Sequence, residues 1–153
     1  MIQDYMKRPE EVKKQPEAYK LFEKIAQGNV PVYHFLVSFW NFEHVFDDLI
    51  DNSDMNDEKK EQCWKALHDF LCTLLLNPFV RQYANEIKAM FSSAIVRQIG
   101  GDHIARDEKR KQHAPATRCA DIDIVNHIAM LHLGWDVAVE LSKLRDINTE
   151  GDQ

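Results

Sequence analysis

The sequence predicts an all-α, single-domain bundle of five or six helices, and three observations lead to this fold class. Apolar residues make up 44% of the 153-residue chain and charged residues 29%, values that are typical of one globular domain. Only five Gly and five Pro are present, too few for the frequent turns of a β-rich architecture. No alternating strand pattern occurs, and helical spacing dominates instead.

The first two helices are marked by their end residues. Pro16 begins a helix through PEAYKLFEKIAQ, and Gly28 ends it. Asn29 and Pro31 then start the next helix, which runs from about residue 32 to 51. This helix is the longest apolar-rich segment, and we expect it to be the central element of the bundle.

Two further helices follow with a turn between them. The helix through DEKKEQCWKALHDFLCTLLL opens at Asn56 or Asp54 and has an acidic first turn, which the helix dipole favours. Pro78 breaks it and starts a helix through PFVRQYANEIKAMFSSAIVRQI, which is expected to stop at Gly100. The polar stretch 102–116 has hardly any apolar face and predicts a long connection.

The last helix is expected from Ala116 to Asp146, and Gly134 is expected to kink or split it. Residues 1–15 and 147–153 are predicted to be frayed ends of the single domain 1–153.

Charge and composition exclude several classes of partner. Nineteen Lys plus Arg against 25 Asp plus Glu give a net charge of −6, without a basic stripe interleaved with aromatics, so nucleic acid is not an expected partner. No apolar run reaches the roughly 18 residues of a membrane span. Cys63, Cys72 and Cys119 are odd in number and lack CxxC spacing, which indicates a reducing, cytoplasmic location.

The stretch FEHVFDDLIDNSD combines acidic and apolar residues at the end of the central helix. Projected on a helical wheel, its apolar residues form one predicted core stripe: Phe35, Phe39, Phe42, Phe46, Leu49 and Ile50. The acidic side carries Glu43, His44, Asp47, Asp48 and Asp51, and it continues one or two turns earlier into Leu36, Val37 and Trp40. The pattern predicts an acidic mouth above an apolar pocket lined by those last three residues.

Three aspartates at this position are electrostatically unfavourable. Asp47, Asp48 and Asp51 lie at the negative end of the helix dipole, which costs roughly 0.3–1 kcal/mol for each carboxylate, and they also repel one another. A divalent cation would reverse both effects, since Mg²⁺ binds one or two carboxylates together with water and phosphate oxygens. We therefore predict an Mg²⁺ or Mn²⁺ site with these aspartates as ligands and Glu43 and His44 behind them.

The segment Asp47-Asp48-Leu49-Ile50-Asp51 resembles the DDxxD motif of isoprenyl diphosphate and terpenoid synthases. The resemblance implies that the metal ions hold a diphosphate-containing small molecule, and that the bundle is a truncated version of the terpenoid-synthase fold. This chain is little more than half as long as the catalytic domain of that family, and the second metal motif of the family is absent.

The nearest substitute for the missing motif is TRCADIDIVNHIAM. Asp123 and His127 are spaced i,i+4 and are candidates to complete a metal site, while Arg118 could clamp a phosphate. Equally, His127 could be an ordinary polar residue between helices.

The chain is also similar to small helical proteins of bacteriophages, which carry a WDDLxD-like segment, an Asn-Pro-Phe break and a late Gly-Trp pair. The corresponding residues here are 46–51, 77–79 and 134–135. This resemblance implies no particular activity, and it places the protein in the host cytoplasm if a phage encodes it.

Two alternatives to a Mg²⁺/diphosphate site stay open, and neither the reaction nor homodimer formation can be read from the sequence. One is a non-enzymatic accessory protein of a phage or its host, whose acidic patch binds a basic partner. The other is an all-α nucleotide pyrophosphohydrolase, although the ExxE and ExxD pairs of those enzymes do not occur.

Overall fold

The computed structural model describes residues 16–51, 54–114 and 120–144, and within these ranges the chain is an all-α bundle. The predicted frayed ends 1–15 and 147–153 lie outside the described residues. The helices are α1 Pro16–Ala26, α2 Val30–Asp51, α3 Asp57–Leu76, α4 Pro78–Gln82, α5 Ala84–Ala105, α6 Ala120–Leu133 and α7 Trp135–Ser142, and a 3₁₀ turn at Lys111–His113 lies between α5 and α6.

Several predicted helix starts are confirmed by the contacts at the ends. The Val32 N–H donates to Asn29 Oδ1 (3.1 Å), and the Lys59 N–H donates to Asn56 Oδ1 (2.9 Å). Both bonds satisfy backbone donors that a helix leaves unpaired in its first turn. Pro78 is the first residue of α4, as predicted.

Other predicted bounds are corrected, and the described ranges hold seven α-helices instead of five or six. The helix expected over 78–99 is two helices, because Tyr83 has non-helical angles (φ −113°, ψ 32°). The predicted stop at Gly100 is wrong, since α5 continues to Ala105 and shortens the predicted 102–116 connection. Gly100 disfavours a helix by only about 1 kcal/mol relative to alanine, which packing along α5 can offset.

The predicted break at Gly134 is confirmed, since α6 ends before it and α7 begins after it. Gly134 has φ +86° and ψ 170°, a region that is nearly exclusive to glycine. We therefore expect Gly134→Ala to lower the free energy of unfolding by about 1–3 kcal/mol in urea denaturation.

Gly100→Ala is the matched control for this prediction. Gly100 lies inside α5, and no atom lies within 4 Å of the position of an added Cβ. Alanine there should raise the free energy of unfolding by about 0.5–1 kcal/mol, because it restricts the unfolded chain. Equal effects of the two substitutions would contradict the assigned backbone of Gly134.

The central position of α2 is confirmed by its neighbours. Tyr19 Oη donates to Asn41 Oδ1 (3.0 Å), and the rings of Phe22 and Trp40 meet edge to face at 5.5 Å, so α1 covers one side of α2. The next helix, α3, runs antiparallel to α2, because Cys63 Sγ lies 3.8 Å from the Val45 carbonyl oxygen. The later residue Phe70 meets the earlier Phe39 with ring centroids 6.2 Å apart.

The far end of α3 is joined to the start of α2 through one buried side chain. Asn77 Nδ2 donates to the carbonyl of Pro31 (2.8 Å), 46 positions away in the chain. Asn77 Oδ1 also accepts from the N–H groups of Phe79 and Val80, at 2.9 and 3.3 Å, and so caps α4. A single amide therefore holds the α3–α4 corner against α2.

The core differs from the predicted stripe. Phe35 and Phe39 are buried as expected, but Phe46, Leu49 and Ile50 are 48%, 45% and 65% exposed. The first half of α2 is buried on every side, because α1, α3, α4 and α6 surround it. Along the second half, α3 still lies beside α2, since Cys63 Sγ is 3.8 Å from the Val45 carbonyl oxygen. The side chains of Phe46, Leu49 and Ile50 nevertheless stay exposed there.

Candidate functional site

The acidic end of α2 presents Asp47 and Asp48 to solvent, and the side chain of Asp51 lies outside the described residues. Asp47 and Asp48 are adjacent in a helix, so their directions differ by about 100°. Within the described ranges, no three His, Cys, Asp or Glu side chains are grouped so that they could hold a metal ion. The predicted metal ligands therefore do not form a preassembled site from the described side chains alone.

The structure places Asp123 and His127 at the contact between α5 and α6. Asp123 forms an ion pair with Arg97 of α5. A groove of about 300 Å³ lies beside this pair, lined by Ala89, Met90, Ser93, Ala94, Ile124 and His127. Arg118, the predicted phosphate clamp, lies outside the described part of the chain.

A different acid of α6 interacts with the acidic end of α2. Asp121 is near enough to His44 for its charge to act on the imidazole. Asp121 and Asp123 are two positions apart, so they point in directions that differ by about 200° around α6. Asp121 faces α2, whereas Asp123 faces α5. Sequence reasoning missed Asp121, because helical spacing within α6 does not tell which of its faces meets α2.

The surroundings of His44 explain its protonation. Nδ1 lies 2.9 Å from the Trp40 carbonyl oxygen and 2.9 Å from Glu43 Oε2, and since both are acceptors, Nδ1 carries a proton. Burial by itself lowers the pKa of the imidazole. The hydrogen bond to Glu43 and the charge of that carboxylate outweigh burial, with further contributions from Trp40 and Asp121, so the pKa is raised above 6.5.

This raised pKa gives a pH dependence with a definite sign. The folded protein binds the His44 proton more tightly than the unfolded chain, so the stabilisation is complete below pH 6.5 and is lost as the pH rises through the folded pKa. As the pH rises above about 6.5, the free energy of unfolding of His44→Gln, measured by urea denaturation, should fall less than that of the wild type.

Glu43→Gln is the companion variant, because it removes the main partner of the imidazolium and keeps the histidine. It should reduce the same pH dependence. If both variants followed the wild-type curve, His44 would not be stabilised in its protonated form.

Leu36, Val37 and Trp40, the predicted pocket lining, are instead part of the packed core. All three are buried, and Leu36 has no exposed surface. The reason is tertiary: Phe22 of α1 packs against Trp40, and the His44 ring lies 4.5 Å from the Trp40 indole on the other side. The space that a pocket would need is occupied by side chains of the chain itself.

A set of exposed apolar side chains lies along one side of α3. Trp64 and Leu75 on α3 are 71% and 70% exposed, and Leu71 lies exposed between them. Leu67 and Leu74 share this side of α3 and are half-buried. We call this set the α3 seam: Trp64, Leu67, Leu71, Leu74 and Leu75. Successive members of the α3 seam are three, four, three and one residues apart. This spacing can be read from the sequence, so it could have identified the α3 seam.

Phe70, a buried residue of α3 outside the α3 seam, joins α3 to its two neighbours. The ring of Phe70 stacks on Phe42 of α2 at 4.8 Å and meets Phe91 of α5 edge to face at 5.9 Å. Beyond these rings, the next apolar residues of α2 and α5 are exposed: Phe46, Leu49, Ile50, Ile95 and Ile99. The α3 seam and these five residues together are called the apolar face.

In comparisons with known proteins, neither a family model nor a curated protein nor a solved structure matches the chain. The resemblances drawn from the DDxxD segment and from bacteriophage proteins therefore stay predictions. Among the described helices, none combines the length and the apolar character that a bilayer span requires.

Proposed function

We propose that this protein is a non-enzymatic interaction protein, which binds a protein partner through the apolar face. The observation that carries the proposal is the exposure of Trp64, Leu71 and Leu75 along one side of α3. Isolated exposed apolar residues are common on soluble proteins, whereas contiguous sets of this kind are typical of binding surfaces. Tryptophan is also among the residues most enriched at the energetic centres of interfaces.

The spacing of the α3 seam indicates the kind of partner. Residues at alternating three- and four-residue intervals form a straight stripe along a helix, into which the side chains of a second helix can pack. The expected partner surface is therefore an apolar helix or helix pair.

The proposal is tested with three forms of the full chain in affinity capture from a cell extract. These are the wild type, the seam variant Leu71→Glu/Leu75→Glu, and the control Leu76→Glu. Leu76 is 66% exposed, close to the 70% of Leu75, but it points about 100° away from it around α3. Circular dichroism melts first establish that all three are folded.

The wild type and the control should capture the same protein, and the seam variant should lose it. The captured protein is then purified and titrated calorimetrically against each form. A buried unpaired charge costs about 2–5 kcal/mol, so the seam variant should bind it about 100-fold more weakly or worse. Equal binding by all three forms would refute a role of the α3 seam.

A second candidate function is binding of Mg²⁺ or Mn²⁺ with a diphosphate at the acidic end of α2. It is favoured by the exposure of Asp47 and Asp48 in the last turns of α2, where the helix dipole disfavours carboxylates. Cation binding to the folded state should raise the thermal midpoint in the presence of Mg²⁺ and pyrophosphate, by about 5–10 °C at 100-fold excess over the dissociation constant.

The Asp47→Asn/Asp51→Asn variant should lose this shift, and Asp57→Asn in the first turn of α3 should keep it. An unchanged wild-type midpoint, measured by differential scanning calorimetry, would rule out the metal site. If the wild type shifts and both variants shift equally, the cation binds elsewhere.

A further inference from the structure

Building on the proposed function, we propose that the partner is a second copy of this chain. In this arrangement the α3 seams of two copies pack against each other across a twofold axis, and the exposed residues of α2 and α5 form the border of the interface. The proposal therefore assigns the apolar face as a homodimer interface.

The pattern along α3 is that of a helix that pairs with a similar helix. From Trp64, the apolar residues Leu67, Leu71 and Leu74 follow at intervals of three, four and three. Alternating intervals of three and four residues approximate the repeat of about 3.5 residues at which side chains of one helix insert between those of another. A twofold axis lets the same stripe serve both partners, because a patch that contacts itself must be self-complementary.

The area of the apolar face is sufficient for a stable dimer. A standard interface buries about 800 Å² on each partner, of which about 65% is apolar in homodimers, or roughly 500 Å². Aromatic side chains offer about 150–250 Å² each, so the exposed parts of Trp64 and Phe46 supply about 200 Å². The six exposed aliphatic residues of the apolar face provide the remaining area of roughly 300 Å², at about 50 Å² each. These residues are about half exposed or more: Leu49, Ile50, Leu71, Leu75, Ile95 and Ile99.

The charges along α3 are compatible with self-association. Lys60 lies 3.8 Å from Asp57, and Lys65 forms an ion pair with Glu61 at 2.7 Å. Each of these two pairs is neutral as a whole, so they add little repulsion when two copies approach. A membrane is a poorer occupant, because the chain carries a net charge of −6 and Asp47 and Asp48 stand beside the apolar face.

Sedimentation velocity of the full chain from about 5 to 500 μM tests the proposal. The wild type and the Leu76→Glu control should sediment as a species of twice the 17.9 kDa chain mass in the upper part of this range. Leu71→Glu/Leu75→Glu places two unpaired charges in the interface of each copy and should weaken dimerisation by at least about 100-fold. Circular dichroism confirms that this variant is folded.

A second readout locates the interface independently of any substitution. Hydrogen exchange of the wild type at low and high concentration should show slower exchange at high concentration in α3. The control region is α1, which lies away from the apolar face and should exchange equally at both concentrations. Protection confined to other helices would overturn the assignment of the α3 seam.

The outcomes separate this proposal from the proposed function. A wild type that stays monomeric at 500 μM but captures a different protein through the α3 seam would overturn the homodimer and leave the interaction function standing. A monomeric wild type with no seam-dependent capture would overturn both. A dimer that the seam variant does not weaken would show that the interface lies on another face.

Discussion

Leu36→Ala is expected to lower the free energy of unfolding by about 2–5 kcal/mol, and the thermal midpoint by about 5–15 °C. Leu36 has no exposed surface and lies in the half of α2 that is enclosed on every side. Removal of its terminal isopropyl group loses the transfer energy of the buried atoms and leaves a cavity that the neighbouring helices can only partly fill. Urea denaturation followed by circular dichroism measures this change.

This prediction distinguishes a packed core position of Leu36 from a position in the lining of an open pocket. If Leu36 lined an open pocket, its side chain would already be partly hydrated, and its truncation would cost well under about 2 kcal/mol. Leu49→Ala is the matched control, because Leu49 lies on the same helix and is 45% exposed. Its expected cost is about 1 kcal/mol or less. Equal costs for the two variants would contradict the burial of Leu36.

Asn77→Ala is expected to lower the free energy of unfolding by about 1.5–2.5 kcal/mol. The change removes the cap of α4, which is worth about 1 kcal/mol. It also removes the 2.8 Å hydrogen bond to the Pro31 carbonyl, a net loss of about 0.5–1.5 kcal/mol, because that carbonyl lies within α2 and keeps its helical bond to the backbone four positions on. Because the amide joins residues 46 positions apart, its loss also loosens the α3–α4 corner against α2.

Two further variants separate the loss of the α4 cap from the loss of the hydrogen bond to Pro31. Asn77→Asp keeps an oxygen that can accept from Phe79 and Val80 but has no donor for Pro31, so it should lose the tertiary bond and retain the cap. Asn56→Ala removes an exposed cap without a tertiary bond and should cost about 1 kcal/mol. If Asn77→Ala cost no more than Asn56→Ala, the bond to Pro31 would contribute nothing measurable.

Helix starts could be predicted from the sequence because their signals are local. An Asn side chain reaches the N–H groups two or three positions ahead, and proline fixes its own φ, so Asn29, Asn56 and Pro78 act without reference to the rest of the chain. The separation of α6 from α7 is equally local, because Gly134 needs a backbone conformation that other residues avoid. The end of α5 was missed because Gly100 weakens a helix without stopping it.

The residues around the predicted site could not be derived in this way. The spacing of Asp47, Asp48 and Asp51 shows that they share one end of a helix, but it does not tell which helix stands opposite. Packing decides that Asp121 approaches His44 and that Arg97 pairs with Asp123. The spacing likewise made Leu36 and Trp40 look like pocket residues, whereas both are buried in the core and Phe22 of α1 packs against Trp40.

The sequence by itself determined that this protein is all-α, that α2 is its central helix, and where most of its helices begin, because composition, period and capping act over a few residues. Only the tertiary structure decided which parts of each apolar stripe are buried. Phe35 and Phe46 belong to the same stripe of α2, yet one is enclosed and the other is exposed, because neighbouring helices enclose the first half of α2 more completely than the second. Burial depends on contacts between residues far apart in the chain, which a helical period cannot specify.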